Sequence, residues 1–146
     1  MKNQTVYLYI ELEGAELDIE PLYSLFAKCS CFGAPVGETY YTYEADGEKR
    51  ARKRTAAYFQ ARMEYNSDHD DPVNDIIIEF LNMYCYEGAP LRDVIAKNEI
   101  KLWCSVASDA PQIVSTIRLN AMKRLVELGL DIGITVVQKG RVFSRA

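Results

Sequence analysis

Residues 5–13 alternate without a break: Val6, Leu8, Ile10 and Leu12 are apolar, and Thr5, Tyr7, Tyr9, Glu11 and Glu13 stand between them. A period of two is that of a strand with one face in a core. Residues 99–107 repeat the pattern, setting Ile100, Leu102, Cys104 and Val106 against Lys101, Trp103 and Ser105. Strands of this kind constrain the architecture strongly. Buried parallel strands read as continuous apolar runs, whereas an antiparallel sheet with one covered face alternates. The predicted class is α+β: a single two-layer domain over residues 1–146, with a mostly antiparallel sheet, helices packed on it and a loosely ferredoxin-like order.

The helices are read from a different period. Val73, Ile76, Ile77, Phe80, Leu81 and Tyr84 fall on one helical face, and Asp71-Pro72 reads as N-cap and first helical residue. Asp18 is expected to cap a short helix carrying Ile19, Leu22, Leu25 and Phe26. Leu91, Val94 and Ile95 suggest another helix. Asn120 is expected to cap a last one, bearing Met122, Leu125, Val126 and Leu128 and closed by Gly129. Residues 38–45 and 50–66 are predicted to form a hairpin around Ala45-Asp46-Gly47-Glu48. Gly33, Pro35 and Gly37 read as a loop, and residues 112–118 as a strand. Residues 130–138 read as the final strand, with Ile132, Ile134 and Val136 inward.

Of 146 residues, 49% are hydrophobic and 26% charged, the proportions of a globular domain rather than a disordered chain. No apolar run reaches the length of a membrane span, and Met1-Lys2-Asn3-Gln4 leads into no export signal, so a cytoplasmic location is expected. The net charge of −4 is unevenly spread. Residues 1–48 hold nine acids and two bases, and residues 49–62 hold six bases and no acid. Residues 63–99 again hold nine acids and two bases, and residues 100–146 hold seven bases and three acids. Such blocks bear on partners more than the total does.

A family resemblance follows from particular segments: the alternating first strand, Leu17-Asp18-Ile19-Glu20-Pro21-Leu22, Ala110-Pro111-Gln112-Ile113 and Leu125-Val126-Glu127-Leu128-Gly129-Leu130-Asp131-Ile132. Together they resemble a small bacterial family known as domain of unknown function 4279, over most of the chain. The resemblance implies the same fold. It supplies no activity that maps onto particular residues.

No motif points firmly to catalysis. Gly33-Ala34-Pro35-Val36-Gly37-Glu38-Thr39 is one residue short of a phosphate loop and carries Glu38 where a lysine belongs. Cys29, Cys31, Cys85 and Cys104 lack the two close pairs of a structural zinc site and read as reduced thiols, with only Cys29/Cys31 spaced for redox chemistry. His69 is the single histidine, which excludes any site needing two. Asp68, Asp70 and Asp71 around it read as an acidic helix-capping turn rather than a calcium loop. No metal and no cofactor is expected.

Two features favour binding. The basic run Lys49, Arg50, Arg52, Lys53, Arg54 and Arg62 lies near Tyr58 and Phe59, an arrangement that could contact phosphates and bases, although acidic flanks argue against nucleic acid. The ten tyrosines suit protein interfaces. The leading expectation is a non-enzymatic protein-binding domain, most concretely a bacterial immunity protein that neutralises a basic toxin domain. Its expected partner-binding residues are Tyr7, Tyr9, Glu11, Glu13, Tyr41, Tyr43, Asp68, Asp70 and Asp71. The alternative is a small-ligand sensor or minor enzyme with a pocket between sheet and helices, using Trp103, Lys101 and Arg118. A partner is expected to be a protein, not a membrane.

Overall fold

The computed structural model describes residues 4–110 and 112–138. Eleven elements follow in order: β1 (Gln4–Gly14), α1 (Glu20–Leu25), β2 (Ser30–Ala34), β3 (Thr39–Tyr43), β4 (Lys49–Lys53), β5 (Ala57–Ser67), α2 (Val73–Tyr84), α3 (Pro90–Lys97), β6 (Glu99–Ser108), α4 (Leu119–Leu128) and β7 (Ile132–Gln138). Five strands make one sheet in the order β2-β5-β1-β6-β7, and β3 and β4 make a separate two-stranded sheet. Among the described residues only the β6–β7 pairing is parallel. The fold is α+β, as the alternation predicts.

β1 lies at the centre because both its neighbours share its period. Val6, Leu8, Ile10 and Leu12 are fully buried. They stand opposite Tyr65, Met63, Ala61 and Phe59 on β5, and opposite Val106, Cys104, Leu102 and Ile100 on β6. Directly opposed residues share a face, so these positions form one apolar surface. The helices cover it. Phe26, at the end of α1, meets Tyr84 of α2 at 4.6 Å and Phe59 of β5 at 5.9 Å between ring centroids. α2 contributes Val73, Ile77, Phe80 and Leu81 to the same core, α3 adds Leu91 and Ile95, and α4 adds Ala121 and Leu125. Gly33 packs closely under Tyr23: a Cβ there would come within 2.5 Å of the Tyr23 hydroxyl and force that ring to move.

Several local expectations are corrected. Residues 50–66 are two strands in two sheets, divided after Lys53. Ser30–Ala34, within the expected loop, pairs with β5 as an edge strand. Residues 112–118 alternate in burial but join no sheet. The Thr116 N–H donates to Asp71 Oδ1 at 3.0 Å, and the Arg118 N–H donates to Asn74 Oδ1 at 2.7 Å, so side chains take the place of a strand neighbour. The expected caps shift for the same reason. Asp71 serves Thr116 and Pro72 is the N-cap of α2; Arg118 is the N-cap of α4, with Asn120 inside the helix accepting from Asn74 at 3.2 Å. Ile19, not Asp18, is the N-cap of α1, though Asp18 Oδ1 still accepts the Glu20 N–H at 3.3 Å. Gly129 ends α4 as expected, in the left-handed conformation at φ +68°. On β7, Ile132 is half-buried but Ile134 and Val136 are exposed, because they lie beyond the cover of the helices.

Candidate functional site: an uncovered aromatic sheet face

With the helices on one side, the second set of alternating residues forms the other surface of the sheet. On β1 it carries Tyr7, Tyr9, Glu11 and Glu13; on β5, Tyr58, Gln60, Arg62 and Glu64; on β6, Lys101, Trp103 and Ser105. Phe32 on β2 joins them opposite Gln60. Tyr7, Tyr9, Tyr58 and Trp103 are half-buried, and Phe32 is 54% exposed.

The rings are ordered by their neighbours. Tyr9 stacks on Trp103 across the β1–β6 pair, with centroids 4.9 Å apart and planes 16° from parallel. Tyr7 follows at 6.4 Å from Tyr9, and the Arg62 guanidinium lies 5.1 Å from the Tyr7 centroid. Phe32 and Tyr58 make a second pair at 6.1 Å toward the β2 edge. Half-immobilised amphipathic rings bury large areas on docking with little further loss of side-chain entropy.

One end of this face is acidic. Glu11 accepts hydrogen bonds from the Tyr58 hydroxyl and from Gln60 Nε2. Burial, then the Glu11 hydrogen bond and charge, push the Tyr58 hydroxyl well above the usual tyrosine range, so it stays a donor. Glu13 stands directly opposite Glu99 in the β1–β6 register. Like charges so placed cost stability unless a cation lies near. Glu11, Glu13, Tyr58, Glu99 and Lys101 line a shallow notch there.

The hairpin β3–β4 rises beside that end. Its base closes through Gly37 N–H to Arg54 carbonyl (2.8 Å) and Arg54 N–H to Glu38 carbonyl (2.9 Å). Arg54 reaches both Tyr40 and Tyr58, at 5.2 and 5.6 Å from their centroids. All five β4 residues are exposed, as are Tyr41 and Tyr43 at 55% and 74%. The basic run is partly neutralised within the ribbon: Glu44 lies 3.6 Å from Arg50 and 3.5 Å from Arg52, and Lys49 sits 4.1 Å over Tyr41. Arg62 belongs to the sheet face rather than to this hairpin.

The expected binding residues thus separate into groups. Tyr7, Tyr9, Glu11 and Glu13 share the open face, and Tyr41 and Tyr43 stand on the hairpin beside its acidic end. Asp68, Asp70 and Asp71 do not join them. They follow β5 at the opposite end of β1, where Gln4 Nε2 donates to the His69 and Asp70 carbonyls at 2.9 and 3.0 Å. The seven strand steps from Gln4 to Glu11 span roughly 23 Å. Tyr58, which the sequence reading sets with the basic run, belongs to this face, as do Gln60, Phe32 and Glu99, which that reading does not include. The first two sit in the alternation of 57–67, which was legible once that segment is separated from β4.

Lys101, Trp103 and Arg118 do not share a cavity. Lys101 and Trp103 border a surface groove of about 440 Å³ with Glu99, Asp131 and Gly133, while Arg118 caps α4 in the helical layer. Cys85 and Cys104 are buried, and burial raises their thiols to about 11 and about 12. Cys31 is raised by burial and by neighbouring Cys29, which lies 3.7 Å from the Tyr84 hydroxyl. Among the described residues, no three His, Cys, Asp or Glu side chains gather as a metal site, and no helix is long and apolar enough to cross a membrane. No family model, no curated protein and no solved structure matches the chain.

Proposed function

We propose that this chain is a non-enzymatic protein-binding domain whose open sheet face docks a partner with a basic surface. The observation that carries the reading is the stacked Tyr9–Trp103 pair, with Tyr7 and Tyr58 on the same uncovered face and Glu11, Glu13 and Glu99 at its end. Aromatic rings supply the buried area of an interface, and carboxylates at its rim steer a basic partner and set its orientation. A lysine or arginine placed at the notch would meet Glu11, Glu13 and Glu99, which outnumber Lys101, and gain a ring face nearby.

In its most concrete form the domain is a cytoplasmic bacterial immunity protein, related to domain of unknown function 4279, that covers the active site of a toxin domain. The size of the chain, its acidic end and its tyrosines support this form. The test is binding and protection together. The purified product of the adjacent gene should bind the chain, and cells carrying that product should survive only when the chain is present. Trp103→Ala should weaken both. Absence of binding, together with unchanged survival when the chain is deleted, overturns the immunity reading.

A further inference from the structure

The two edges of the main sheet differ. β2 has five residues and runs directly into Pro35, which cannot donate to a neighbouring strand. β7 has seven residues, Ile132-Gly133-Ile134-Thr135-Val136-Val137-Gln138, with no charge and no proline. Charge and proline are the usual protections of an edge against pairing, and β7 has neither.

Beyond the half-buried Ile132, its helix-side face is not covered by the described residues. The helices lie in the order α1, α2, α4 across the sheet: Phe26 joins α1 to α2, and Asn74–Asn120 and Asn82–Arg124 join α2 to α4. α4 turns Asn120 and Arg124 toward α2 and carries Leu119, Met122 and Val126, at helical spacing, on another flank. These three are 69%, 43% and 77% exposed. On β7, Ile134 and Val136 are 37% and 48% exposed. Exposed apolar side chains along an edge strand that lacks charge and proline mark an interaction surface.

We propose that β7 pairs antiparallel with β7 of a second copy, joining the two sheets across a two-fold axis at Thr135. A two-fold contact requires a self-complementary surface, and this strand meets that condition. In this register Ile134 faces Val136 of the other copy on the helix side, and Thr135 faces its own counterpart on the open side. β-branched and threonine pairs of this kind are favourable cross-strand neighbours. The overall negative charge of the chain does not meet itself along the seam, because β7 is uncharged. The seam runs along the β7 edge, one strand from Trp103 on β6, and the pairing does not rest on the proposed docking function.

Sedimentation equilibrium of the full chain tests this without any partner. The expected mass rises with concentration toward twice 16.6 kDa. Val136→Lys, at an exposed position, should weaken association at least tenfold while retaining the parent circular dichroism and melting behaviour. Thr135→Cys should give a disulfide-linked dimer on mild oxidation, and Val137→Cys, which the register sets against Gly133, should not. A chain that stays monomeric at all concentrations, a dimer unaffected by Val136→Lys, or equal cross-linking from both cysteines overturns the proposal.

Discussion

Tyr9 and Trp103 lie stacked, 4.9 Å apart, across the adjacent strands β1 and β6 and on the side of the sheet that no described helix covers. Trp103 is the only tryptophan of the chain, so its fluorescence reports on this face alone. In the free protein, acrylamide should quench it readily. Tyr9→Ala should raise quenching further by removing the ring that shields it, with little change in stability. Unchanged quenching in Tyr9→Ala would mean that the rings do not stack in solution.

The core prediction concerns Phe59, which is fully buried and contacts both Phe26 and Tyr23, the latter edge-on at 5.3 Å. Phe59→Ala removes a ring from the junction of β5 and α1 and should cost about 3–5 kcal/mol. Urea unfolding should show a lower midpoint with an unchanged slope.

Removing the hairpin should be tolerated. β3 and β4 pair only with each other, and Glu38 and Arg54 already meet through the Arg54 N–H and the Glu38 carbonyl at 2.9 Å. Replacing residues 39–53 by Asn-Gly, which favours a tight hairpin turn, should leave the melting temperature within a few degrees of the parent. A large loss of stability would show that the ribbon supports the body.

Much of this fold was legible, and the failures share a physical cause. β1, β6 and α2 follow strict periods because the core selects every second residue of the strands and one face of the helix. Periodicity reports which side chains face inward, and it is silent on what the backbone bonds to. Residues 112–118 therefore read as a strand, although Asp71 and Asn74 hold the Thr116 and Arg118 N–H groups. β2 escaped notice because five residues containing Gly33 carry too little pattern. For the site, alternation separated Tyr7, Tyr9, Glu11 and Glu13 from the core side. Which of the two faces lay bare depended on where the helices packed. Asp68, Asp70 and Asp71 were grouped with the glutamates by charge, a property that ignores the length of β1 between them.

Alkaline pH should destabilise the protein through Cys104. Burial raises its thiol from 9.0 to about 12, so the unfolded chain ionises first as pH rises. The stabilisation is complete below about pH 9 and is lost as pH climbs toward the folded value, falling by about 1.4 kcal/mol per pH unit for one such group. Cys85, raised to about 11, acts in the same direction. Melting temperatures between pH 8 and 11 should decline, and Cys104→Ala should show a shallower decline from a lower starting stability. Thiol alkylation of the native protein should spare both cysteines.

The most direct test of the open face is calorimetric titration of the chain with the purified product of the adjacent gene. Binding is predicted, with Tyr9→Ala and Trp103→Ala each weakening it at least tenfold. Tyr86→Ala, an exposed tyrosine just after α2 in the helical layer, should leave it unchanged. Equal affinity in all three variants, or a loss confined to Tyr86→Ala, would contradict a docking surface built on the uncovered face of the sheet.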